Sequence, residues 1–149
     1  MAITSAICNS FKQELLQGIH NFTASSGDTF NLALFTSSAT LSASTTAFAT
    51  NPGGGSDTEV SGSVYTTKGN ALTSITTTLD SSTAGCDFVD TSFTSASFTA
   101  RGCMIFNDSA SGDPAVCVID FGSDKTVTSG TFTIQFPAAD ASNAIIRIA

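Results

Sequence analysis

The sequence predicts an all-β protein, an antiparallel β-sandwich of jelly-roll type with one short N-terminal helix. Short segments that mix apolar and hydroxyl side chains recur along the chain, separated by Gly, Pro, Asn and Asp, which is typical of strands joined by turns. Twelve Phe residues and a hydrophobic share of 41% supply a core, although only 11% of the residues are charged. A chain of 149 residues forms about one domain. We therefore expect a single β-sandwich domain over residues 1–149.

The N-terminal segment carries the one helical pattern in the chain. Ile7, Phe11 and Leu15 are spaced at i, i+4 and i+8, which predicts a helix over residues 6–17 with one apolar face. This helix belongs to an N-terminal arm over residues 1–20. Its apolar face can pack on the rest of the domain or on a neighbouring subunit.

The chain after the arm is predicted to form strands and turns. Residues 37–58 are rich in Ser, Thr, Ala and Gly and predict a long flexible loop. Residues 101–107 and 115–121 predict a hairpin, because the loop between them is built from Asp, Ser, Gly and Pro. The predicted strands lie at residues 29–36, 63–67, 71–79, 86–90, 96–100, 103–107, 115–121, 131–136 and 144–148.

The four cysteines are predicted to be free thiols. Their spacing contains no C-x-x-C pair, and the N-terminal segment lacks the features of a secretory signal, so we expect synthesis in a reducing cytoplasm. The predicted hairpin places Cys103 near Cys117. Two buried small residues, or a disulfide formed after release into an oxidising medium, both fit that pair.

The charge pattern argues against two classes of partner. Twelve acidic and five basic residues give a net charge of −7, and the basic residues are scattered singly along the chain. Phosphate binding requires clustered Lys and Arg, so we expect no nucleic acid and no acidic membrane as partners. No run approaches the ~20 apolar residues that cross a bilayer.

The sequence predicts no catalytic, cofactor or metal site, and we expect the protein not to be an enzyme. The single histidine, His20, follows the helix in a polar segment and is predicted to be a surface side chain. One histidine and four dispersed cysteines do not match a usual zinc set. No G-x-S-x-G motif stands between a strand and a helix, although the chain has 22 serines.

The low charge content predicts that part of the surface is covered in an assembly. Soluble domains are about 25% charged, against 11% here, while 22 serines and 23 threonines supply uncharged polarity. Candidate contact residues are Phe11 and Leu15 on the helix and Leu41 and Phe48 in the 37–58 loop, because they are apolar and lie outside the strand pattern. Burial in the core of the same domain is the equal alternative for each. The surplus negative charge is predicted to face outward.

Most of the chain resembles a family of small virion structural proteins of tailed bacteriophages. The resemblance is carried by TSASFTARGCMIFND, by AVCVIDFGSDKTVTSGTFTIQFPAADASNAIIRIA, and by three earlier segments. Those earlier segments are FKQELLQGIHNF, DTFNLALFTSSATLSASTTAF and EVSGSVYTTKGNALT. The sequence departs from the family pattern at the Gly-rich residues 51–57 and at Cys103 and Cys117.

The resemblance implies a structural role in the particle. Within it, the chain is similar to small β-rich decoration, or cement, proteins with jelly-roll folds. A protein of that kind binds the outer capsid surface as a dimer or trimer, bridges neighbouring major capsid subunits, and is made in the bacterial host cytoplasm. A tail, tube or fibre component is the alternative. A carbohydrate- or receptor-binding β-module is disfavoured by the absence of Trp and the single Tyr.

Overall fold

A computed structural model describes residues 2–149 of the chain. It is mostly β, with two antiparallel sheets and one short helix. One sheet has five strands in the order β1-β7-β6-β2-β3, and the other has three in the order β4-β5-β8. The elements are β1 (Ala6–Ile7), α1 (Asn9–Leu16), β2 (Phe30–Phe35), β3 (Asn70–Ala71), β4 (Thr76–Asp80), β5 (Thr83–Asp87), β6 (Thr91–Asn107), β7 (Ala115–Ile134) and β8 (Ile146–Ile148).

The β6–β7 hairpin is the longest feature of the fold. Its register pairs Cys103 with Ile119 and Ile105 with Cys117, which confirms the predicted hairpin and its loop. The predicted division into separate strands at 96–100 and 103–107, and at 115–121 and 131–136, is wrong. Turn-type residues between those segments form β-bulges, so each pair of predicted strands merges into one long strand.

The core is centred on β2 and on the loop end of the hairpin. Every residue of β2 is buried, so both faces of this strand are covered. Residues 102–107 of β6 and 115–118 of β7 are buried in the same way beside it. Phe11 and Leu15 of α1 line one side of a small groove of about 130 Å³. Residues of the three-stranded sheet line its other side.

The predicted helix begins later than expected. Residues 6–8 were predicted to be helical, but Ala6–Ile7 forms β1, which pairs with Val118 and Cys117 of β7. The helix therefore starts at Asn9 and ends at Leu16, and Gly18 has a positive φ of 71° just beyond it. Position 1 of the predicted 1–20 arm lies outside the described residues.

Three other predicted strands differ in the structure. The strand predicted at 86–90 is β5, Thr83–Asp87, and residues 88–90 lie outside it. Residues 63–67 form a turn, in which Val64 has a φ of 82°. The predicted strand at 71–79 is divided into β3 and β4, and Ser74, with a φ of 54°, lies between them. A positive φ interrupts the regular strand conformation, here by ending a strand and in β6 and β7 by forming a bulge, and the hydrophobic pattern alone does not reveal it.

The 37–58 loop follows the surface of the core. Leu41 is fully buried and forms a bridge with Ile3, and the amide of Thr58 donates to the carbonyl of Thr50 at 3.1 Å. The exposed glycines at positions 53–55 form its tip. Within residues 2–149, no helix is long and apolar enough to cross a membrane.

Candidate interaction surface

The most prominent surface feature is an apolar groove of about 610 Å³ beside β7. Lys125 is the only charged residue that lines it, and none of the lining residues is acidic. The groove is lined by Ile119, Phe121, Lys125, Phe132, Thr133, Ile134, Gln135, Phe136, Pro137, Ala144 and Ile145. We call this feature the β7 groove.

The alternation of side chains along a strand builds the β7 groove. Phe132, Ile134 and Phe136 are two residues apart, so they project toward the same side. The ring of Phe132 packs against Phe98 with 5.2 Å between centroids. The amide of Phe136 donates to the Asp90 carboxylate at 2.8 Å, which fixes the chain just after β7 ends.

The backbone edge of β7 is free along the groove. β1 pairs only with Cys117 and Val118, and the amide of Asp120 donates to the hydroxyl of Ser5 at 2.8 Å. Residues 121–134 therefore have β6 on one side and no strand on the other within the described chain. A strand with one unpaired edge exposes a row of N–H and C=O groups that another strand can pair with. The β7 groove and this edge therefore form one surface.

A bulge interrupts the first part of this edge. The residues after Asp120 loop out of the ladder, because the β6 pairing shifts between Ala100 and Gly102. The Arg101 guanidinium donates to Asp120 at 2.8 Å, and this contact holds the pKa of the Asp120 carboxyl below its usual value. The β6 pairing shifts twice more within residues 125–134, on either side of Ala96, so this edge is regular over residues 125–127 and 132–134.

The four predicted contact residues do not lie on this surface. Phe11 and Leu41 are buried within the chain, which agrees with the core alternative and leaves their side chains unavailable to a partner. Leu15 and Phe48 are partly buried against the core. Phe48 stacks on Phe106 with 4.6 Å between ring centroids. A contact role for Leu15 and Phe48 stays a prediction.

His20 is buried, so its predicted surface position is wrong. Its Nε2 lies 2.8 Å from a carboxylate oxygen of Glu14, and its Nδ1 lies 3.2 Å from the side-chain amide of Asn107. The same Asn107 NH2 group donates to Asp28 at 2.7 Å. Because an amide nitrogen only donates, Nδ1 of His20 is the acceptor in its contact with Asn107. The polar residues around His20 predicted a surface segment. The imidazole ring is enclosed by Phe11 and Phe30, and this enclosure arises from tertiary packing.

This histidine has the surroundings of a structural residue. No hydroxyl or thiol forms a hydrogen bond with its ring in residues 2–149. A nucleophile within hydrogen-bond reach would be needed for triad chemistry. The network instead ties α1, the segment after it, and the end of β6 together.

A second buried polar group lies beneath the 37–58 loop. The hydroxyl of Tyr65 donates to Glu59 at 2.8 Å and accepts the amide of Leu34 at 2.9 Å. The amide of Lys68 donates to the same Glu59 oxygen at 2.7 Å. Burial raises the pKa of the Glu59 carboxyl, since the charged form loses water.

We expect the Glu59→Gln variant to gain stability relative to the native chain as pH rises. The raised folded-state pKa means that the stability contributed by protonated Glu59 is present below its ordinary pKa and is lost as pH rises through the raised value. Glutamine keeps an oxygen that accepts from Tyr65 and Lys68 and does not ionise. Thermal unfolding of both chains between pH 4 and pH 8 measures the difference, and a native chain that gains on the variant over this range would contradict the assignment.

The cysteines are free and buried, as predicted. Burial raises the pKa of the Cys8 thiol to about 11 and the pKa values of Cys86 and Cys117 to about 12. The pKa of Cys103 is raised in the same direction and for the same reason. Thiols of this kind are protonated and unreactive at neutral pH.

We therefore expect the folded protein to resist thiol reagents. An aromatic disulfide reagent at pH 8 should label none of the four cysteines in the time in which it labels all four in denaturant. Mild oxidation of the folded chain should leave its mass unchanged, with no disulfide between Cys103 and Cys117. Rapid labelling of one cysteine in the folded protein would show that the core opens there.

The β7 groove and its edge are the candidate site among the described residues. In residues 2–149, no three His, Cys, Asp or Glu side chains are arranged to hold a metal ion. The β7 groove combines apolar side chains, one cation and a free strand edge, which are the components of a protein-binding surface. Comparison of the chain with protein families, curated proteins and solved structures gave no match in any of the three.

Proposed function

We propose that this chain is a structural protein of a bacteriophage virion, a capsid decoration protein that binds the outer shell and bridges neighbouring major capsid subunits. The β7 groove is the observation that carries the proposal on the structural side. The bacteriophage virion as the particle follows from the resemblance of the sequence to small virion structural proteins. The jelly-roll type of sandwich and a dimeric or trimeric state are part of the same proposal.

The composition of the β7 groove supports a contact role. No carboxylate lines the groove, in a chain with twelve acidic residues. A partner can therefore dry this surface without removing water from a negative charge.

A shell-binding role also fits a surface of modest size. Each copy on a capsid needs only a weak contact with each subunit, because a copy that bridges two subunits gains from the high local concentration of the second site. Such bridging resists separation of the subunits on heating or dilution. Shell survival is therefore the property to measure.

The test mixes the purified protein with capsids that lack it, removes unbound protein by sedimentation, and then heats or dilutes the shells. We expect binding and longer survival of the shells. Phe121→Asp, which places a charge in the β7 groove, should abolish both. Leu16→Asp makes the same charge change at a side chain that is 92% exposed on α1, and should preserve both. No binding and no change in shell survival with the native chain would reject the proposal.

The free edge of β7 also favours one second candidate, a tail, tube or fibre component in which the edge joins copies of the chain. Counting copies per purified virion separates the two, since a shell protein should number in the hundreds. Carbohydrate binding lacks such support, because Tyr65, the single tyrosine, is buried. A glycan array with the isolated protein should be blank.

A further inference from the structure

We propose that the free edge of β7 binds an extended segment of a capsid subunit as an added antiparallel or parallel strand. That segment would carry apolar side chains at alternate positions and a carboxylate that meets Lys125. The inference deepens the proposed function and rests on it for the identity of the partner. The chemistry of the segment follows from three features of the surface.

The first feature is the unpaired backbone. Residues 125–134 follow the bulge, pair with β6 on one side, and have no strand on the other side within the described chain. A peptide laid along the regular stretches of this edge, residues 125–127 and 132–134, gains main-chain hydrogen bonds there at every second residue. Such bonds are available to an extended partner and not to a helix.

The second feature is the position of the apolar side chains. Phe132, Ile134 and Phe136 project into the groove beside the edge at two-residue intervals. A strand paired with β7 places its own alternate residues on that same side. Apolar residues at these positions would fill the groove, whereas charged ones would lose water without gaining a partner.

The third feature is the charge of Lys125. It is the only charged residue in the groove, and within residues 2–149 its ammonium forms no ion pair or hydrogen bond. Each of the other four cations contacts an oxygen of this chain. Lys125 is therefore left for a carboxylate on the partner, and such complementarity selects among apolar strands.

A second copy of the chain fits this surface less well. Residues 125–134 contain no carboxylate, so in a pairing of two copies over this stretch Lys125 would meet no acidic partner. A capsid segment with a carboxylate supplies that partner. Self-association through β7 is thus an outcome that the test must be able to detect.

The test titrates the isotopically labelled full chain with a blocked peptide, Val-Thr-Val-Asp-Val-Thr-Val, and follows the backbone amide signals by NMR. We expect shifts confined to residues 119–137 and the adjoining 144–145. A peptide with Lys in place of Asp should bind about fivefold more weakly, as an ion pair worth about 1 kcal/mol requires. A peptide that is N-methylated at alternate residues should not bind, because it cannot complete the ladder.

Charge reversal provides the matched control. Lys125→Glu should invert the preference, so that the Lys peptide binds more tightly than the Asp peptide. Lys12→Glu makes the same change on α1, away from the groove, and should leave the preference unchanged. Absence of binding at millimolar peptide, shifts elsewhere, or equal binding of the N-methylated peptide would overturn the inference. Dimerisation detected by sedimentation and broken by Lys125→Glu would assign the edge to a second copy instead.

Two results separate this inference from the proposed function. Peptide binding at β7 without any binding to capsids would support strand addition at this edge and reject the shell as the partner. Capsid binding that Lys125→Glu does not weaken would keep the decoration role and reject the added strand.

Discussion

Replacement of Phe30 by alanine should lower the free energy of unfolding by about 3–5 kcal/mol, the usual cost of removing a fully buried aromatic side chain. Phe30 has no exposed surface, and its ring stacks on Phe22 with 4.3 Å between centroids. It also lies 5.9 Å from the ring of Phe88. The cavity would therefore loosen β2, the segment after α1 and the approach to β6 together.

Urea unfolding of the native chain and of Phe30→Ala measures this loss directly. Leu79→Ala is the matched control, since Leu79 is 75% exposed on β4 and its truncation should change stability by no more than about 0.5 kcal/mol. A loss below about 1 kcal/mol for Phe30→Ala would show that the aromatic cluster is not part of the cooperative core.

Replacement of Asn107 by alanine should cost about 2–4 kcal/mol, because it leaves several buried polar groups without partners. The Asn107 side chain is fully buried, and its NH2 group donates hydrogen bonds to Nδ1 of His20 and to the carboxylate of Asp28. Its carbonyl oxygen accepts the amides of Ser109 and Ala110, at the start of the hairpin loop. The substitution should therefore loosen the hairpin loop and the segment around His20 together.

Hydrogen exchange of the backbone amides distinguishes this network from simple packing. We expect Asn107→Ala to increase exchange at residues 19–29 and 108–114 more than in the centre of β6. Asn143→Ala is the control, since Asn143 forms its hydrogen bonds at the surface with Asp140 and should change little. Equal stability of Asn107→Ala and the native chain would mean that water replaces the network without cost.

The parts of the fold that depend on local pattern were predictable from sequence. The loop of the β6–β7 hairpin was identified by its turn residues, and β2 was predicted as a strand at residues 29–36. The continuity of β6 and of β7 was not predicted. Turns and bulges both use residues such as Gly122 and Ser129, which have positive φ here, so composition does not distinguish the two.

The interaction surface was hidden for a related physical reason. Alternation along a strand tells which residues share a side, but not whether another layer covers that side. Phe132 and Phe136 are partly buried against the core and also line an open groove, which alternation alone does not reveal. Phe11 and Leu41 were marked as contacts because they lay outside the strand pattern, yet tertiary packing buries them. Low charge indicated a covered surface without giving its location.

An image reconstruction of capsids mixed with the purified chain shows whether and how this protein binds the shell. We predict added density on the outside of the shell at regular positions, with residues 121–134 and the β7 groove against the capsid subunits. Shells without added density, or density in which the β7 groove faces solvent and α1 makes the contact, would reject the decoration role of this surface.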